Sequence, residues 1–207
     1  MVGIKNSALI AVFATFFASV LGTLAALGLS NRHMPFNRLI MALMISPMIV
    51  PLIITAAGMF FFFAKLNLVA TIPGLIIAHT ILGIPFVVIT VTASLAGFDN
   101  NLLRAAATLG GSPLRNFFKI QAPLIAPGVI SGSLFAFITS FDEVVIVLFV
   151  GGTKYTLPRQ MWSGIRNEIS PTILAAATIL VIFSILLLTT LEMLRRRAEK
   201  IRGITPH

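Results

Sequence analysis

Two adjacent carboxylates, Asp142 and Glu143, stand inside an apolar stretch running from residue 124 to residue 150. A carboxylate at the centre of a bilayer costs about 2.5 to 3.5 kcal/mol on insertion scales, so acids retained there face a cavity, a partner or a pathway. If the stretch is one helix entered at Leu124, a rise of about 1.5 Å per residue puts position 142 roughly 27 Å along, in the half remote from the entry. Neighbouring positions on a helix differ by about 100°, so the two side chains diverge. Two readings stand. In one, one acid lines a path and attracts a cationic solute while the other pairs with Lys154 or Arg159. In the other, both belong to a salt-bridged helix end with no solute contact. His79, inside an earlier apolar stretch, reads first as a hydrogen-bonded core imidazole and second as a proton relay. The chain has no cysteine, which excludes disulfides, thiolate metal sites and thiol catalysis. It also lacks an H-E-x-x-H pattern, a Ser/His/Asp set, and the G-x-x-x-x-G-K-[ST] loop that cradles nucleotide phosphates. We therefore expect no catalytic residue, no cofactor and no metal, and any ATP chemistry must be done elsewhere.

A second constellation spans residues 98–123, the one long amphipathic interruption between apolar stretches. Asp99 can cap a helix over about Asn100 to Leu109, Gly110-Gly111 supplies a left-handed stop, and Ser112 followed by Pro113 is an N-cap with proline at the first helical position. The expected shape is helix, tight turn, helix. Ala105, Ala106 and Ala107 give the first helix a face without bulk, to which another backbone can come close. Leu114, Phe117 and Phe118 put large apolar groups on the second. Such a surface suits a cytoplasmic partner; the rival reading is an interfacial helix with Arg115 and Lys119 reaching anionic lipid. Pro123 and Pro127 are expected to break the chain direction before the next span.

The elements that carry these residues are membrane spans. The 207 residues are 57% hydrophobic and 10% charged, against about 25% charged in an average soluble domain. Runs of about 20 apolar residues are needed to cross as helix, and five stretches qualify: 7–29, 39–63, 71–97, 124–150 and 172–194. The fold class is thus all-α and polytopic, a single transmembrane domain over 1–207. The net charge of +9 would suggest nucleic acid in a soluble protein, but here the basic residues sit in short loops and at the C-terminus, where they orient the chain. A cytoplasmic C-terminus puts ten inside (Arg32, Arg38, Arg104, Arg115, Lys119, Arg195, Arg196, Arg197, Lys200, Arg202) and five outside (Lys5, Lys65, Lys154, Arg159, Arg166). Residues 98–123 are then cytoplasmic. Five spans leave the N-terminus outside with no basic anchor before it, and an additional upstream helix is expected. The run at 7–29 exceeds the roughly 7 to 15 residues of a signal-peptide core, so it reads as a span.

Two further features bear on a path. Pro47 and Pro51 in the second stretch, and Gly83 with Pro85 in the third, free backbone carbonyls, and broken helices often line transport sites; a packing kink explains each one taken alone. Residues 151–171 form the longest external loop, with Gly151-Gly152 as a flexible exit, a short helix around Arg159 to Asn167, and Trp162 as an interface anchor.

The loop residues resemble a known signature. Permeases of ATP-binding cassette (ABC) importers carry a cytoplasmic segment of the form E-A-A-x-x-x-G-x(9)-I-x-L-P, and Ala105, Ala106, Gly110, Ile120 and Pro123 fall at its spacing. Arg104 stands where that family usually has Glu, and Ala122 where it has Leu. Residues 140–171, from Ser140-Phe141-Asp142-Glu143-Val144 to Glu168-Ile169-Ser170-Pro171, resemble spermidine/putrescine-type permeases. The resemblance implies a bacterial inner-membrane subunit, usually of six spans, forming half a path for a small cationic solute such as a polyamine. It implies as partners two cytoplasmic ATPases, a second and non-identical permease, and a periplasmic or lipid-anchored solute-binding protein, with no nucleic acid. It assigns ATPase coupling to Arg104, Ala105, Ala106, Gly110, Ile120 and Pro123, and the binding-protein contact to the loop bearing Lys154, Arg159, Trp162 and Arg166. Asp142 and Glu143 are the candidates for the solute path. The rival readings are the same machine carrying an opine, an amino-acid derivative or iron, and a stand-alone secondary transporter or channel.

Overall fold

The computed structural model describes residues 2–31 and 34–167, with scattered helical positions between 174 and 193. The expected fifth span at 172–194, the basic C-terminal cluster, Glu168 to Pro171 and Arg32 fall wholly or largely outside the described residues. Every element within them is helical.

Three long helices form the core: α1 (Val2–Leu29), α4 (Ile72–Ala96) and α7 (Ala122–Asp142). Their packing inverts the pattern of a water-soluble helix. In α1 the buried positions include Ser7, Ala11, Ala14, Ala18, Gly22 and Ala26, while Val12, Phe13, Phe16, Phe17, Val20, Leu21 and Leu24 are exposed. Lipid tails are as apolar as leucine, so helices in a bilayer associate through close backbone approach, which small residues permit. Gly132 of α7 lies so near α4 that a Cβ there would come within 2.7 Å of the Val87 Cα, and one on Gly83 would touch the Cβ atoms of both Ala18 and Ala136 at 3.0 Å. The Ser19 and Ser133 hydroxyls meet at 2.6 Å across α1 and α7, a polar tie within the same seam.

The second apolar stretch is not one span. It forms α2 (Asn37–Ile49) and α3 (Leu52–Lys65), bent by 104°. Pro51 has no N–H to offer α2 and drives Val50 into extended backbone, ψ 134°, as the residue before a proline prefers. Pro47, by contrast, sits inside α2 without ending it. Gly83 and Pro85 do not interrupt α4 either; both are buried in the seam.

The fourth stretch also departs from expectation, at both ends. Pro123 and Pro127 do not break the chain: α6 (Pro113–Asn116), a π-turn (Phe117–Gln121) and α7 run on as one helix of 30 residues, Pro113 to Asp142. The missing Pro123 N–H and its ring exclude the ordinary bond to the fourth residue back, and the helix adapts with the wider turn, in which the Ala122 N–H donates to the Phe117 carbonyl. At the far end the helix stops at Asp142, and residues Val145–Val150 form a separate short helix, α8. α8 packs on α3, where Ile146, Val147 and Val150 join Phe63, Leu75 and Ala78 in a buried cluster.

The seam yields a test. Gly132→Leu should destabilise the purified protein by about 1 to 3 kcal/mol through overpacking. Gly58→Leu, at a helical glycine whose Cβ would meet nothing within 4 Å, should leave the thermal midpoint in detergent unchanged.

Candidate functional site

The end of α7 brings the sequence candidates together and separates their roles. A helix that stops in apolar surroundings leaves its last four carbonyls without intrahelical donors, and each unsatisfied group there is costly. His79 of α4 answers one of them. Its Nδ1 lies 3.1 Å from the Ser140 carbonyl and 2.9 Å from the Ser140 hydroxyl, with the ring buried. This is the hydrogen-bonded core imidazole of the first reading.

On the other side of the break, Glu143 leaves the helix with ψ 123° and turns its side chain onto the start of α8. Its Oε1 accepts from the Val145 N–H at 2.5 Å and the Ile146 N–H at 3.0 Å, so the buried carboxylate caps the next helix. Asp142, the last residue of α7, is exposed. The two acids do diverge, but by leaving a helix rather than by sitting 100° apart on one. Among the described residues neither acid forms an ion pair with Lys154 or Arg159. Arg159 instead donates from Nη1 to the Val147 and Lys154 carbonyls, both at 3.1 Å, and its guanidinium lies 4.8 Å from the Tyr155 ring centroid. It thus holds the far end of α8 as Glu143 holds the near end.

Glu143 also lines a cavity of about 370 Å³ whose other walls are the bend from Pro47 to Leu52, Leu82 and Phe86 of α4, and Thr139 of α7. Glu143 is the one charged group among these lining residues. The volume lies in the range of small-ligand sites, roughly 300 to 1,000 Å³. Thr139, Phe86 and the bend were not singled out from sequence as a set. Thr139 stands one turn before Glu143, a signal that spacing offers only once the acid is known to face inward.

The loop from 151 to 156 leads into α9 (Leu157–Asn167), which covers the expected short helix. Gly151 and Gly152 serve fit rather than flexibility. Gly152 is left-handed at φ 52° and stacked on Ala70, whose N–H donates to the Val150 carbonyl at 2.8 Å. The start of α1 ties down the rest: Asn6 donates to the Tyr155 carbonyl at 2.9 Å, and the Leu157 N–H donates to Ser7 Oγ at 2.9 Å. Trp162 is exposed and Lys154 half-buried; the Arg166 side chain lies outside the described residues.

At the opposite end of α1, the caps expected within residues 98–116 form, although the second helix then runs on through Pro123 into α7. Asp99 accepts from the Asn101 N–H at 2.9 Å and α5 (Asn101–Thr108) follows. Gly110 takes φ 80°, while the Gly110 and Gly111 N–H groups donate to the Ala107 and Ala106 carbonyls, both at 3.0 Å, the paired bonds of a Schellman stop. Ser112 then caps α6. Leu109, Leu114 and Phe118 are 89%, 71% and 63% exposed, an apolar face without a covering element among the described residues. Phe117, in contrast, turns inward to a groove with Phe16 and Val20 of α1. Arg104 and Asp99 line a polar hollow of about 620 Å³ between this loop and the ends of α1 and α4. Ala105, Gly110 and Pro123 are exposed, Ala106 and Ile120 half-buried. Among the described residues no three His, Asp or Glu gather to hold a metal.

A bundle of apolar helices around a lined cavity, with a bent helix pair at its wall and an apolar helix pair at one end, defines a multi-pass membrane permease. Residues 18–200 match the family described as the binding-protein-dependent transport system inner membrane component, and the chain belongs to that family. It is 31% identical over 193 residues to the spermidine/putrescine transport system permease protein PotC of Haemophilus influenzae, covering 93% of this chain and 75% of the relative. PotC of Escherichia coli K12 is 32% identical, with 97% and 76% covered. The putrescine transport system permease protein PotI of the same strain is 34% identical, with 87% and 67% covered. Among solved structures, a chain of the MetNI methionine ABC transporter in an inward-facing conformation superposes with a TM-score of 0.75 at 18% identity, over 95% of this chain and 94% of that one. That likeness establishes the permease fold.

The helix break predicts a graded response at His79. His79→Leu, which cannot donate to Ser140, should lower stability in detergent by about 1 to 3 kcal/mol, read from thermal unfolding; His79→Asn, which retains a donor, should recover part of the loss.

Proposed function

We propose that this chain is the permease subunit of an ATP-driven ABC importer for polyamines, forming half of the path for a small aliphatic cation. The observation that carries the solute class is the cavity at the α2–α3 bend: apolar and aromatic walls with Glu143 as their one charged lining residue. An alkyl chain bearing an ammonium suits such walls, with the methylenes against Pro47 to Leu52 and the charge at the carboxylate. The names of the PotC and PotI relatives support the same class. Asp142, exposed beside Glu143, raises the local negative potential and attracts the cation toward the cavity.

In this reading residues 98–123 and the C-terminus are cytoplasmic, as the distribution of Lys and Arg favours. Leu109, Leu114 and Phe118 bury in an ATPase subunit, with Arg104, Ala105, Ala106, Gly110, Ile120 and Pro123 shaping the contact. A second permease, not identical to this one, completes the path. The solute-binding protein docks over the 151–167 segment through Lys154, Trp162 and Arg166, while Arg159 positions that segment from beneath. ATP is hydrolysed by the partner and reaches the cavity mechanically.

Two experiments test this. Neutralising both acids, Asp142→Asn with Glu143→Gln, should cut uptake of radiolabelled putrescine at least about tenfold, the loss of roughly 1.4 kcal/mol of attraction, while membrane insertion is retained; equal uptake would leave the acids structural. Gly110→Val places a β-branched residue at φ 80°, where L-residues are strained by about 1 to 2 kcal/mol or more. It should leave the protein in the membrane and ATPase activity measurable while uptake falls. Undiminished uptake, or no co-purification of the wild type with an ATPase in mild detergent, would remove the coupling role.

A further inference from the structure

We infer that Glu143 is a shared acceptor through which occupancy of the cavity loosens the short helix α8 on the opposite side of the break; this rests on the cationic-solute reading above. The carboxylate has two claims on it in one place. It lines the cavity, and it is the acceptor for the first two N–H groups of α8. α8 is only six residues long, so those N–H groups are a large share of its backbone donors, and a helix this short does not hold itself together in isolation.

The segment beyond the cap is tethered at several points, so a change at its near end has something to act on. The Val150 carbonyl is held by the Ala70 N–H, and Arg159 grips the Val147 carbonyl. The start of α9 is bonded to Ser7 of α1. α8 and its loop therefore form one unit fastened to α1 and to the turn before α4, with Glu143 as its fastening on the cavity side. An ammonium entering the cavity makes a charge-assisted bond, about twice as strong as a neutral one. The carboxylate then shares its charge between the cation and the amides, which weakens the bonds held at Oε1. The first turn of α8 then loses its cap, worth typically about 1 kcal/mol, and opens more often. A neutral solute of the same length offers no such pull.

The test uses the whole importer, this chain with its second permease and ATPases, in lipid nanodiscs, and reads hydrogen exchange of the Val145 and Ile146 amides. Millimolar putrescine should speed their exchange roughly fivefold to tenfold, the equivalent of losing one cap, whereas 1,4-butanediol should not. Glu143→Gln keeps an amide oxygen able to accept from both N–H groups but carries no charge; it should show wild-type protection without solute and no response to putrescine. Unchanged wild-type exchange alongside normal putrescine uptake overturns the inference and leaves the functional reading standing. An acceleration that persists in Glu143→Gln, or protection already lost there before solute is added, overturns it as well. Absence of both putrescine uptake and any exchange response overturns the polyamine reading itself.

Discussion

Backbone amides and carbonyls cannot be left bare in an apolar medium, and the arrangement of this permease turns on one place where the chain breaks that continuity. Between Asp142 and Val145 the helix stops, and its loose ends are taken up from two sides. His79 donates to the last turn of α7, and Glu143 accepts from the first turn of α8. The break places an acid against a cavity while leaving Asp142 outside. It also frees α8 to fold back on α3.

The helix that ends at this break begins at the surface we assign to the ATPase. From Pro113 to Asp142 the backbone is continuous, so the end of the amphipathic loop and the rim of the cavity belong to one rod. Its single irregularity is the π-turn at Phe117–Gln121, a kind of defect often found where helices do functional work. Close packing on α4 through Gly128, Gly132 and Ala136, with the Ser133 hydroxyl tied to Ser19 of α1, makes this rod a part of the core rather than an appendage.

Much of this was legible in the residues. Apolar runs of the length of a bilayer announced an all-helical membrane protein. The caps at Asp99, Gly110 and Ser112 fixed the helix-turn-helix before any fold was known, because capping depends on a few adjacent residues and on φ at one glycine. The proline effects divided. Pro51 bent its stretch through the extended residue before it, but Pro123 and Pro127 did not end theirs: a wider turn absorbed Pro123, and Pro127 sits inside α7. Local sterics say that a proline perturbs a helix; only the neighbours decide whether the helix ends.

The sequence by itself determined the class of protein, the helix-turn-helix start of residues 98–116 and the presence of costly acids at 142 and 143, since these follow from hydropathy, capping chemistry and the energetics of charge in lipid. The tertiary structure decided what those acids do. Which of the two turns inward depends on where α7 stops, just past the Ser140 carbonyl that His79 meets from 61 residues away along the chain, and α3 offers α8 a surface. The roles of Arg159 and of the glycines after α8 were likewise set by contacts with α8 and Ala70 that no spacing encodes. Hydrogen bonds and close approaches between distant segments carry no local signature, so the cavity and its shared carboxylate emerge only once the helices are packed.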